Sequence, residues 1–209
     1  MKTAGIGISA DQSARIAAAA QKLGVYSGRF YARDEAPPSP YAGLSGNSQP
    51  GRSRLWWLKG LYKCNQFLGD VLTLAGLRMP TYRMPDGSEH YFNAEALLKR
   101  PGDFGSITAL SDIRPGDIVL IDWSESGENG AHLEIVAEID LSAQRLRTWG
   151  AHKDGAALQD FSWLFRGARF DAQRTAWINT SSLRGQYLVH VLRPLKSTEV
   201  LLPGIGHPR

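Results

Sequence analysis

From Cys64 onward the apolar residues Cys64, Phe67, Leu68, Val71, Leu72 and Ala75 recur at i, i+3, i+4, i+7, i+8 and i+11, the single apolar face of an amphipathic helix that Gly76 ends. Gly60 breaks the pattern upstream, so the helix is expected to start between it and Cys64. An Ala-rich helix with a thin apolar face is predicted over residues 11–23, capped by Asp11 and stopped at Gly24. The pattern then changes period. "IRPGDIVLIDW" opens with Pro115-Gly116, which suits a type II turn, and runs into a β-branched strand. "AHLEIVAEID" alternates, with Leu133, Ile135, Ala137 and Ile139 on one face and His132, Glu134, Val136 and Glu138 on the other. "QRLRTWGAH" continues as a third strand, and "GQYLVHVLRPL" forms a last one closed by Pro194. Residues 80–112 read as irregular, with a turn at "MPDGSEH" and a short helix, "NAEALLKR", opened by Asn93. Residues 156–180 are rich in aromatics but show no clean period. A helix-rich first half followed by an antiparallel meander is an α+β pattern.

Residues 36–53 are dense in Pro, Gly and Ser, which places a boundary near Leu55. The expected organisation is an N-terminal helix and arm over 1–54, one folded domain over 55–200 and a flexible tail over 201–209. At 209 residues and 43% hydrophobic the chain can bury a real core. The net charge of +4 favours anionic partners. The basic residues are scattered, however, with no arm or aromatic motif of a nucleic-acid binder, so nucleic acid is set aside. No stretch reaches the roughly 20 apolar residues that span a bilayer, and the N-terminus lacks a compact apolar signal region. The expectation is synthesis in the cytoplasm, without membrane insertion and without export by the general secretory route. A single cysteine excludes an intramolecular disulfide.

That cysteine carries the chemical interest. A thiol at a helix N-terminus meets free N–H groups and the positive end of the helix dipole, conditions that favour a thiolate and supply donors to an oxyanion. His132 opens a strand on its polar face and is the best candidate base. With the following hairpin loop centred on Ser142, His152 lies opposite His132; a register one residue away pairs Glu138 with Arg145 and turns His152 to the other face. Asp154 is then the fallback third group. The plain alternative for Cys64 is a small core side chain on an apolar stripe. His90, His190, Trp56, Trp57 and Trp123 read as packing residues, and neither His90 nor His190 has metal-ligand spacing with another histidine or with Cys64.

"YKCNQFLGDVL", then "IRPGDIVLI" some fifty residues on, then "GAHLEIVAEI", resembles the NlpC/P60 and CHAP superfamily of papain-like cysteine peptidases and amidases. The similarity covers about residues 55–155. It departs from the family in one detail, Ala131 standing between Gly130 and His132. The resemblance implies a papain-like fold with the nucleophile helix packed on a central antiparallel sheet. Cys64 takes the position of nucleophile, His132 that of general base and His152 that of the third polar residue. It also implies hydrolysis of peptide bonds in peptidoglycan stems or cross-bridges, with no metal or organic cofactor. The substrate would be reached in the periplasm or at the wall, by lysis or by injection into a rival cell as a type VI secretion effector, with an immunity protein or secretion adaptor as a further partner. Two other expectations stand beside it: an amidase or deamidase acting on a protein target, and a non-catalytic binding domain with Cys64 in its core.

Overall fold

The structure, a computed structural model, describes residues 8–37, 55–85, 89–98, 102–123, 130–179 and 187–195. The Pro/Gly/Ser-rich stretch from 38, the glycine-rich loop at 124–129, the centre of the turn at 86–88 and the expected tail lie outside these residues. The fold is α+β. Helix α1 spans Ala10–Ser27, α2 Cys64–Leu74 and α3 Ala94–Leu98. The strands are β1 Thr81–Arg83, β2 Glu89–Tyr91, β3 Phe104–Ile107, β4 Ile118–Asp122, β5 Ala131–Asp140, β6 Arg145–His152, β7 Gly155–Asp160, β8 Arg169–Asp171, β9 Ala176–Asn179 and β10 Tyr187–Pro194.

Strands β1 and β2 pair as a separate ribbon, and the others form one antiparallel sheet in the order β7-β6-β5-β4-β10-β9-β8, with β3 also on β10. Four strands in the segment from 80 to 112 and in the aperiodic stretch after 156 were thus not evident from pattern, namely β1, β2, β3 and β7, and the short pair β8 and β9 adds two more. β1, β2, β3, β8 and β9 are three or four residues long, too short for an alternation to stand out, and β7, GAALQD, has no regular alternation of apolar and polar residues.

Alternate residues of the central strands feed two cores. Ile118, Leu120, Leu133, Ile135 and Ala151 join Phe67, Leu68, Val71 and Leu72 of α2 and Ile16, Ala19, Ala20 and Leu23 of α1. Val119, Ile121, Val136, Leu146, Val189 and Val191 instead meet Phe161, Leu164 and Trp177. Strand β4 is accordingly apolar at four successive positions, Ile118 to Ile121, all buried.

Helix α1 shares this core, so the first described residues and those after 54 pack as one body. Its N-cap is Ser9, whose hydroxyl accepts from the Gln12 N–H, rather than Asp11. It also runs three residues past Gly24. A Cβ at Gly24 would fall 2.4 Å from the Trp149 ring, so this glycine allows the helix to approach β6 rather than ending it. The Pro115-Gly116-Asp117 turn works similarly. Gly116 has φ +91°, and a Cβ there would lie 2.2 Å from the Ser13 carbonyl oxygen of α1. Asp117 accepts from the Arg114 N–H at 2.9 Å and from both Nε and Nη2 of Arg193 at 2.7 and 2.8 Å.

Candidate active site

Cys64 is the first residue of α2, and no side chain caps that end. The chain entering the helix is held instead by Lys63. Its side chain is buried, and Nζ donates to the carbonyls of Ala32, Arg33 and Leu61 at 2.7, 2.8 and 2.9 Å. Burial pulls the pKa of this ammonium down to about 8, against Asp34 and Glu35, which raise it. Asn65 in the first turn donates to the Tyr91 carbonyl at 3.4 Å, and Gln66 donates to Asp70 at 2.9 Å.

On the sheet, His132 and Glu134 are two residues apart on β5 and therefore project to one side. Glu134 pairs with Gly150 of β6, and Ile135 with Trp149. That register carries His132 toward His152, with ring centroids 5.0 Å apart. Beyond Val136 the ladder shifts by one residue, so that Glu138 pairs with Arg147 and their side chains approach to 3.5 Å. The alternative pairing of Glu138 with Arg145 does not occur. A bulge at Ala137 lets the histidine end of the hairpin keep one register and the turn end take another.

Between the two histidines stands Glu134, a residue that the sequence reading left without a role. Its side chain is 0% exposed, and Oε1 lies 2.6 Å from His132 Nε2 and 3.0 Å from His152 Nε2. Gly150 makes the space: a Cβ there would fall 2.1 Å from Oε1. Burial alone would raise the carboxyl pKa, but the contacts with His132 and His152 outweigh it and hold Glu134 ionised, with a lowered pKa. A signal for Glu134 was present in the sequence, since it shares the polar face of the strand with His132, two residues on.

Burial also disfavours charge on His132. Hydrogen bonds and charge from Cys64 and from Glu134 more than compensate, and the imidazole pKa rises to about 10. With Nε2 engaged by Glu134, Nδ1 is the ring nitrogen left for the thiol. The Trp123 ring lies 6.1 Å from that of His132, inclined by 24°.

The structure thus brings Cys64, His132 and His152 into one neighbourhood, with Cys64 touching His132, and His152 lying against Glu134 and the His132 ring. Asp154 is exposed in the turn after β6. His90 stacks on Trp57 at 3.8 Å, and buried His190 has its pKa lowered by desolvation. Among the described residues no helix is long and apolar enough to cross a membrane. The chain matches no protein-family model, no curated protein and no solved structure.

Proposed function

We propose that the chain is a papain-like cysteine hydrolase of the NlpC/P60 and CHAP type, cleaving peptide bonds of peptidoglycan stem or cross-bridge peptides. One observation carries the reading: the thiol at the start of α2 contacts an imidazole whose far nitrogen is bonded to a buried carboxylate. That is the nucleophile, base and orienter relation by which a thiol is activated.

The Cys64 sulfur, its proton passed to His132, attacks the carbonyl carbon of the scissile bond. The tetrahedral oxyanion is met by backbone N–H groups at the uncapped start of α2. His132 returns the proton to the leaving nitrogen, the C–N bond breaks and a thioester remains. Water then attacks that thioester, giving its proton to His132, and the carboxylic acid departs as the thiol reforms. Glu134 holds the ring with Nδ1 toward sulfur and balances the charge it acquires. His152 props Glu134 and acts as a positioning residue.

The test is incubation of purified peptidoglycan with the protein and with Cys64→Ala, followed by mass spectrometry of the soluble fragments. Release or shortening of stem peptides by the parent chain alone is expected, and the masses identify the bond. No release by either redirects the same site to an amide in a protein target, for which fold sets no substrate. Delivery into a rival cell and an immunity protein that covers the cleft belong to the same proposal.

A further inference from the structure

The reaction uses one oxygen of the Glu134 carboxylate and leaves the other. Glu134 Oε2 and His152 Nε2 are both buried and without a hydrogen-bond partner, although His152 Nε2 lies 3.0 Å from Oε1. A buried carboxylate oxygen and a buried ring nitrogen left open side by side mark a place where a further group belongs. Two imidazoles and a carboxylate are the donor set of three-ligand zinc sites with an open fourth position, and imidazole donors discriminate against Ca²⁺ and Mg²⁺. One ligand atom from each of His132, Glu134 and His152 lies within 4.8 Å of the others. Ligand atoms about 2.1 Å from a tetrahedral ion lie about 3.4 Å apart, so the widest separation has to close by roughly 1.4 Å, a movement shared between two side chains. His132 and His152, with 14% and 33% of their side chains exposed, offer the way in, while Glu134 is sealed below them.

We propose that His132, Glu134 and His152 bind a borderline-soft divalent ion, with Zn²⁺ as the reference case, and that its binding switches off the thiol chemistry at Cys64. The ion takes the Nε2 lone pair of His132, displaces the bond from Glu134 and draws electron density from the ring, so that Nδ1 becomes a poorer partner for sulfur. Cys64 lies outside the ligand set. The inhibitory half rests on the hydrolase reading above; the binding half does not.

The full chain, stripped by a chelator, is titrated with Zn²⁺ by calorimetry and with Co²⁺ by absorption. One saturable site is expected, retained in Cys64→Ala with no thiolate-to-cobalt charge-transfer band, and weakened at least about tenfold in His152→Ala, the scale seen when even outer partners of a metal site are removed. Iodoacetamide labelling of Cys64 should slow on adding Zn²⁺, recover with chelator, and become insensitive to Zn²⁺ in His152→Ala. His152 is partly exposed, so this variant is the one expected to fold; a circular-dichroism melt verifies it. Absence of saturable Zn²⁺ binding, loss of binding in Cys64→Ala, or equal affinity in folded His152→Ala would overturn the site. Binding that leaves labelling unchanged would overturn the inhibitory role. Failure of the metal-free protein to cut peptidoglycan bears on the hydrolase reading alone.

Discussion

Two buried carboxylates, Glu134 on β5 and Asp117 in the turn that leads into β4, are held in opposite ways. Asp117 is saturated: Arg193 grips both oxygens, the Arg114 N–H adds a third bond, and all three donors are fixed in their protonation. Burial still outweighs these partners and leaves its carboxyl above the ordinary range. Glu134 is held by two imidazoles that can gain and lose protons, has one oxygen with no hydrogen-bond partner, and is nonetheless pushed below the ordinary range. A carboxylate closed off by a guanidinium and the backbone ties elements together, here the Pro-Gly-Asp turn to β10. One paired with imidazoles and left incomplete can respond to chemistry beside it.

The largest expected effect comes from removing the proposed nucleophile. Cys64→Ala should bring release of stem peptides to background with an unchanged melting temperature, and surviving hydrolysis would remove the thiol from the mechanism. Next, Glu134→Gln keeps the shape but loses the charge that orients His132. A fall in kcat of roughly 10²–10⁴ is expected, on the scale known for the orienting carboxylate of a catalytic triad. Asp117→Asn should do the reverse. It takes the ionic acceptor from Arg193, whose Nη2 keeps the Asp112 carbonyl, and should lower stability by about 1–3 kcal/mol in a denaturant melt, yet leave kcat per folded molecule within about tenfold. Equal kinetic losses in the two variants would dissolve the distinction between the carboxylates.

A third buried acid sharpens the comparison through pH. Asp70 on α2 accepts from Tyr31 at 2.7 Å and Gln66 at 2.9 Å, and burial nevertheless raises its pKa from 3.8 to about 7. A raised folded pKa means that the fold prefers the protonated acid. Its contribution is complete below about pH 4 and is lost as pH rises through about 7, whereas ionised Glu134 contributes above the ordinary carboxylate pKa and is lost toward acid. The melting temperature of the parent chain relative to Asp70→Asn should therefore fall between pH 4 and 8, by the equivalent of roughly 4 kcal/mol at most. A pH-independent difference would count against a protonated Asp70. The smallest effect is expected at the edge of the fold: Ser9→Ala removes the cap of α1 and should cost about 1 kcal/mol in a denaturant melt, with no change in catalysis.

Much of this site was legible because its members belong to short local patterns. Cys64 heads an apolar stripe, His132 opens an alternating strand, and one of the two hairpin registers open to the sequence sets His152 beside it, the one found, with rings 5.0 Å apart. Glu134 was legible in position but not in burial, since an acidic residue on a polar strand face is ordinarily solvated. Only Gly150 across the ladder and the second histidine make room for it and hold its charge. Lys63 was hidden for a related reason: a lysine among scattered basic residues gives no sign that three carbonyls will converge on its ammonium.

By itself the sequence determined the α2 stripe, the alternation of β5, the turn at Gly116 and the candidate thiol and imidazole, because each depends on the spacing of residues within a dozen positions of one another. The tertiary structure alone decided the remaining features. It joined α1 to the sheet across Gly24, built short strands from stretches without a period, bulged β5 so that one hairpin holds two registers, and buried Glu134 between two histidines. Those outcomes turn on which distant side chains compete for the same volume and which polar groups lose water there, and these are settled only when the layers close on one another.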